Sequence, residues 1–425
     1  MATIVASSTG LGSLYRRHGM WRPATIAFDP KRMTRSPTKS RATQALIART
    51  LITQTSDLQC YRMRRSLKFT ILLVALSFVS CSGISGEITH ASRLKEITDV
   101  RFDSFLQDMM KHEHFTGVAL VMRDGKTLHV KGYGEATAST ANTIDTKFHV
   151  GSITKQFTAA AIMQLVEKGS VKLDGSINTY LPQRYRSPKW NAVTIHHLLS
   201  HTSGIPDYAV TRDYYQVVKG FCLGDTVDGM VKEAMGKELE FASGSKFSYS
   251  NLGYTLLGFV IEYQANTSYV QYIKQNVLDP MGMASSSIHA IGHVQAKDEA
   301  EGFRWSEEQR KHVQDDVVSL PVTAPDGGLI TTLSDFVKWV RIFTDGDQTV
   351  LNQGSIKRMS KPVIGIGAGG PLDSMGYGLY AGDRLIGHGG LIVGFSSQFV
   401  YDRETRSLIV VFTNNTTNRR TNPRR

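Results

Sequence analysis

Apolar residues recur at helical spacing from about Leu94 to Met110, which predicts an amphipathic helix. Two short β-rich runs follow, Gly117 to Met122 and Lys126 to Gly132. They flank Arg123-Asp124-Gly125, and an Asp-Gly pair between such runs predicts a hairpin. From Ser152 to Lys168 the pattern is helical again, with Ile153, Phe157, Ala161 and Leu165 apolar, an Ala-rich middle and Gly169 as a stop. Helical patterns broken at Pro182, Pro206 and Gly244 continue to about Gly282. Near the end, Ser396 to Phe399 and Ser407 to Phe412 read as strands joined by a turn at Asp402-Arg403. Strands at both ends around a helical middle predict an α/β (α+β) fold. Its sheet draws on distant parts of the chain, and the helical region is inserted as a second lobe. A cleft between lobes is a common place for a site.

Composition changes this picture little until the charge is located. The 425 residues are 41% hydrophobic, enough for a packed core, and carry a net charge of +12. Residues 1–68 hold 13 Lys/Arg against Asp29 and Asp57, so the remainder is close to neutral at +1. A basic surface that served nucleic acid would lie on the folded body, and this one lies in a leader, which excludes nucleic acid as the expected partner. Within that leader, Met63-Arg-Arg-Ser-Leu-Lys68, an apolar run from Phe69 to Val79 and Ser80-Cys81-Ser82-Gly83 form the three parts of an export signal. The apolar run is shorter than the ~18 residues a membrane span needs. Val79-Ser80-Cys81 resembles a lipobox, so lipidation of Cys81 and membrane anchoring stand beside ordinary cleavage near Ser82. Residues 1–62 are Arg- and Ser-rich and are expected to be disordered or untranslated, with a mitochondrial transit peptide as the alternative. The expected organisation is thus a leader (1–62), a signal (63–82) and a linker with the start of a helix (83–102). A catalytic domain (103–414) and a disordered basic tail (415–425) complete it. Cys60, Cys81 and Cys222 make neither a disulfide framework nor a metal-ligand spacing.

Ser-x-x-Lys occurs three times, at Ser36, Ser152 and Ser243, but only Ser152-Ile-Thr-Lys155 opens a strong amphipathic helix. Residues i and i+3 share a helix face, so the Lys155 amine can reach the Ser152 hydroxyl. The helix N-terminus favours the negative charge that develops as a serine attacks. A desolvated lysine has a lowered pKa and can act as the base. Taken alone, such a match is more often a capping serine beside a solvated lysine. Two other features join it. Tyr249-Ser250-Asn251 leads into the apolar helix Leu252 to Ile261, and a phenol can shuttle protons if a nearby cation lowers its pKa. Gly387-His388-Gly389-Gly390 precedes an apolar run from Leu391, where glycines permit close approach to backbone N–H groups.

Together these motifs resemble the serine β-lactamase and penicillin-binding-protein superfamily, and within it the class C β-lactamase-like group with its carboxylesterases and D-aminopeptidases. Longer stretches carry the same resemblance: Phe148-His-Val-Gly-Ser-Ile-Thr-Lys-Gln-Phe157, His197-Leu-Leu-Ser-His-Thr-Ser-Gly204, Phe247-Ser-Tyr-Ser-Asn-Leu-Gly-Tyr254 and Asp326-Gly-Gly-Leu329. It spans Asp103 to Asn414. The resemblance implies a β-lactamase/transpeptidase-like fold, an antiparallel sheet flanked by helices with a mostly helical lobe inserted. It makes Ser152 the acylated nucleophile, Lys155 its activator and Tyr249 the proton carrier. Asn251, His388, Gly389 and Gly390 would bind substrate, and the N–H groups of Ser152 and Leu391 would form the oxyanion hole. No cofactor or metal is implied, and the expected partner is a small-molecule or peptide substrate.

Two departures qualify the activity. His388-Gly389-Gly390 stands where β-lactamases carry Lys-Thr-Gly, which disfavours efficient β-lactam hydrolysis and favours an ester or peptide. Val411 gives way to a polar segment where such proteins usually end in a helix, which predicts a less covered sheet face. Two rival readings remain. His197 and His201 have the i, i+4 spacing of zinc ligands, although local packing is the expected role. A catalytically inactive scaffold of the cell envelope is the other. Loops near Asp207 and Tyr208 and the segment from Glu299 to Val318 are expected to line the cleft.

Overall fold

The computed structural model describes residues 89–207, 223–289, 293–314 and 324–416. The expectations for the leader, the signal, Cys81 and the other cysteines, Tyr208 and residues 315–318 fall outside them. Strands are β1 (Gly117–Arg123), β2 (Lys126–Tyr133), β3 (Phe148–His149), β4 (Ser287–Ile288), β5 (Phe303–Ser306), β6 (Lys311–Gln314) and β7 (Leu329–Thr331). They continue as β8 (Ile364–Gly365), β9 (Ser374–Met375), β10 (Tyr380–Ala381), β11 (Leu385–Ile392), β12 (Phe395–Asp402), β13 (Ser407–Thr413) and β14 (Asn415–Thr416). The helices that matter for the site are α1 (Thr89–Glu113), α2 (Lys155–Glu167), α3 (Ile195–Leu199), α4 (Leu223–Gly236), α5 (Asn251–Ala265) and α6 (Leu333–Thr344).

The main sheet runs in the order β2-β1-β13-β12-β11-β10-β9-β8, antiparallel throughout. Its centre joins the two ends of the domain, because β1 pairs with β13 from Gly117↔Thr413 to Arg123↔Ser407. The hairpin between β1 and β2 turns where the Asp-Gly pair predicts. Asp124 and Gly125 both have positive φ (49° and 72°), the conformation that matches the strand twist.

Every residue of β13 is buried, so both sheet faces are covered. On one face Ala119, Val121, Val400, Ile409 and Val411 pack against Phe102, Leu106 and Met109 of α1. The expectation of a poorly covered face is therefore corrected: α1 covers it. A polar network pins that helix down, since the Tyr133 hydroxyl donates to Asp103 (2.8 Å) and the His129 ring meets Asp99 (2.6 Å). On the other face, Phe336 of α6 lies edge-on to Phe399 and Phe412, and Phe157 of α2 stacks on Trp339 at 4.1 Å. Helix α2 is almost wholly buried, which its Ala-rich sequence permits. The helical region does not form a core of its own. One apolar cluster runs from β1 and β13 through α2 into α5.

Two smaller sheets complete the framework, β3-β7-β4 and β14-β5-β6. Asn415 and Thr416 pair in parallel with Phe303 and Arg304, so the first two residues of the expected tail are structured.

Candidate active site

Ser152 does not begin an α-helix directly. Gly151–Thr154 form a 3₁₀ turn, and α2 starts at Lys155. In 3₁₀ geometry side chains three apart nearly eclipse, which brings Ser152 and Lys155 together more closely than an α-turn does. Lys155 Nζ lies 3.1 Å from Ser152 Oγ, 2.8 Å from Asn251 Oδ1 and 2.8 Å from the Asp326 carbonyl. The lysine is 0% exposed, and Ser152 caps nothing, so the common reading of Ser-x-x-Lys fails here. Burial brings the Lys155 amine down to about 8, with Asp326 and Asp207 opposing.

Tyr249 reaches the same point from the turn before α5. Ser250 caps that helix, its hydroxyl accepting from the Gly253 N–H (3.0 Å), and Asn251 is the first helical residue. The cap presents Tyr249 and Asn251 side by side. Lys155 Nζ stands 5.0 Å from the centre of the Tyr249 ring, and Ser152 hydrogen-bonds the phenol. Although Lys155 stands beside the ring, the condition that a nearby cation lower the phenol pKa is not met. Burial pushes it well above the usual value, the Ser152 hydrogen bond opposes this, and Asp326 and Asp207 add to the rise. Tyr249 therefore enters any reaction as a neutral proton donor and acceptor.

The third wall is β11. Gly390 lies so close to Val150 that a Cβ there would stand 1.8 Å from the Val150 carbonyl, and a Cβ on Gly151 (φ +52°) would stand 3.0 Å from the Leu391 nitrogen. Ser397 Oγ donates to the same Val150 carbonyl at 2.7 Å. The glycines thus seat the Leu391 N–H beside the 3₁₀ turn of Ser152, and two backbone donors can face one oxyanion there. His388 is 1% exposed and stacks on Tyr380 at 4.9 Å. Its Nδ1 donates to the Gly389 carbonyl (2.6 Å), which leaves Nε2 as the acceptor nitrogen of a neutral ring. Burial, reinforced by Lys155, brings His388 down to about 3. A free imidazole would be partly charged near pH 7; this one is held neutral.

This constellation of buried lysine, serine, phenol and glycine strand sits in a chain whose residues 102–425 match the family model described as Beta-lactamase. The chain belongs to the beta-lactamase family. Among its relatives is Protein flp of Staphylococcus aureus strain MW2, 28% identical over 334 residues, a match covering 76% of this chain and 64% of that protein. The chain thus spans less than two thirds of that relative's length. Two solved structures are similar to it. The octameric penicillin-binding protein homologue from Pyrococcus abyssi is 30% identical at a TM-score of 0.64, with 73% of this chain and 72% of that one covered. The penicillin binding protein from Bacillus halodurans is 27% identical at a TM-score of 0.63, with 73% and 96% covered.

In this beta-lactamase-family site, several residues take roles that the sequence reading did not assign them. Asp207 is 6% exposed beneath the cap of α5, where its Oδ1 accepts from the Leu252 N–H (2.8 Å) and the Ser250 hydroxyl (3.2 Å). Burial raises its carboxyl to about 6, against the hydrogen bond from Leu252. It was expected in a cleft-lining loop and serves the cap instead. His201 stacks on the Tyr249 ring at 4.3 Å, and its Nδ1 accepts from the Ser250 N–H (3.0 Å). His197 closes the capping box of α3 with Thr194. The two histidines thus pack locally, as expected. The Asp326-Gly-Gly-Leu329 motif marked the position, but that the Asp326 carbonyl holds Lys155 was not legible, because any residue carries one. Glu299, expected at the cleft, turns to His149 and His293 instead.

Proposed function

We propose that the protein is a serine hydrolase that forms an acyl-enzyme on Ser152 and acts on ester, amide or peptide bonds. The observation that carries this reading is the environment of Lys155: fully buried, brought down to about 8, with its amine 3.1 Å from Ser152 Oγ. At pH 7 about one tenth of such lysines are neutral, a usable population of base.

Ser152 Oγ attacks the acyl carbon and gives its proton to Lys155. The oxyanion forms between the N–H groups of Ser152 and Leu391, where one such donor is worth about 3 kcal/mol in the transition state. The leaving group departs with a proton from Tyr249, which Lys155 then restores. Water hydrolyses the ester on Ser152 by the reverse relay. Asn251 holds the lysine and the acyl part of the substrate. With His388 buried and neutral, a substrate carboxylate finds no cation at that position. Esters and D-amino-acid peptides are therefore placed ahead of β-lactams. Export through residues 63–82, with Cys81 as a lipid anchor, belongs to the same proposal and is supported by the cationic, apolar and small-residue order of that segment.

The test is intact-mass measurement of the protein after incubation with a serine-directed phosphonate, with Ser152→Ala beside it. One adduct, absent from the variant, is the expected result. A folded protein that takes no adduct overturns the mechanism and moves the scaffold reading to the front.

A further inference from the structure

Three histidines and a glutamate meet beside the small sheet, His149 just upstream of Ser152 in the chain and the others far downstream of it. His149 belongs to β3 and pairs with Ile330 of β7. His289 follows β4, and its N–H donates to the Gly328 carbonyl at 2.6 Å. Glu299 is fixed alongside β3, where Lys147 exchanges backbone hydrogen bonds with Asp298 (3.0 Å) and Ala300 (2.9 Å). One ring nitrogen from each of His149, His289 and His293 lies within 4.8 Å of the other two. Ring centres are 4.5 Å apart for His289 and His293 and 5.3 Å for His149 and His289. Glu299 accepts from Nε2 of His149 (2.6 Å) and Nε2 of His293 (2.9 Å).

An ion pair does not account for this set. Two imidazoles already satisfy the carboxylate, and His289 adds a third ring at 7% exposure whose Nδ1 has no partner among the described residues. A buried polar atom left unpaired is costly, and an apolar side chain would avoid that cost. Three imidazoles backed by a carboxylate are, however, the donor set of zinc sites, where the carboxylate orients the rings. Nitrogens bound tetrahedrally at 2.0–2.1 Å stand about 3.4 Å apart, so the rings need to close by at most about 1.4 Å. His293 keeps 20% of its side chain exposed and leaves an approach from solvent.

We propose that His149, His289 and His293 bind one zinc-class divalent ion, with Glu299 orienting the rings and supplying the negative charge a buried dication requires. The ion ties β3, which leads through Val150 and Gly151 to Ser152, to the segments carrying His289 and His293. It is a site separate from Ser152 and does not depend on what Ser152 does.

The full chain, stripped with a chelator and given Zn²⁺, should retain about one ion per chain after desalting. Co²⁺ in its place should give the intense visible absorption of a tetrahedral site, and thermal unfolding should rise with free Zn²⁺. His293→Ala, at a partly exposed position, should lose retention. Glu299→Gln should weaken binding about 10–100-fold, and His112→Ala on the exposed face of α1 should change nothing. Wild-type retention no greater than that of His293→Ala overturns the proposal, as does loss through His112→Ala. If the His293 and Glu299 variants fail to fold, the wild-type Co²⁺ spectrum decides: an octahedral or absent band overturns the site.

Discussion

Lys155 is the residue on which the proposed chemistry turns, and its setting makes a specific demand. A buried amine brought down to about 8 is mostly protonated at pH 6 and mostly neutral at pH 9. If it takes the Ser152 proton, kcat/KM rises about tenfold per pH unit until about pH 8 and then levels. A pH–rate profile that is flat from 6 to 9 would contradict that role. Lys155→Arg keeps a cation but cannot give up a proton, so it should lose activity as fully as Lys155→Met. Both should fall about 10²–10⁴-fold in phosphonate labelling rate, with the fold checked by circular dichroism.

Elements make this residue chemistry possible by approaching one another closely. Strand β11 reaches the 3₁₀ turn of Ser152 only because Gly390 has no Cβ to meet the Val150 carbonyl. Gly390→Ala should push the Leu391 N–H off the oxyanion position and lower kcat about 10²–10³-fold, measured on any ester the wild type turns over. Helix α1 acts at a distance from that chemistry. Leu106, 0% exposed between the helix and the sheet, holds its apolar face. Leu106→Ala should cost about 2–5 kcal/mol in urea unfolding while leaving phosphonate labelling of Ser152 intact. These elements differ in how readable they were. The hairpin at Asp124-Gly125 and the α2 pattern carry local signals; the hairpin formed where expected and α2 began three residues later than expected. The 3₁₀ turn at Gly151–Thr154 has no such signal, because its tightness follows from β11 and β7 packing around it.

At the scale of the whole molecule, two buried carboxylates contribute to the pH dependence of stability with opposite signs. Asp402, 1% exposed, loses solvation on burial, but Arg384 and nearby backbone N–H groups outweigh this and hold it below the usual carboxylate range. Its share of stability is complete above pH 3.8, the unfolded value, and is lost as pH falls through the lower folded value. Asp207 has the opposite sign. Raised from 3.8 to about 6, it contributes fully below pH 3.8 and loses that share as pH rises through about 6. Asp207→Asn should therefore flatten the fall of Tm between about pH 4 and pH 7. Arg384→Met should move acid unfolding to higher pH. A Tm curve for Asp207→Asn parallel to wild type would show that this aspartate is not the group that titrates.

The sequence by itself determined what depends on local spacing and on the ends of elements. Period-2 and period-3.6 patterns placed the hairpin, α1, α2 and the terminal strands, and Ser152-Ile-Thr-Lys155 placed a serine and a lysine one turn apart. Motif order then named the family. The tertiary structure decided everything that depends on groups far apart in the chain. It set the charge states, because burial of Tyr249 and His388 is a property of their neighbours and holds both rings neutral beside a lysine. It chose α1 to cover the sheet face. It also gathered His149, His289, His293 and Glu299, whose separation of up to 150 positions leaves no pattern for a linear reading to find. Spacing along a chain constrains only residues that share an element, whereas desolvation and ligand geometry belong to the space between elements.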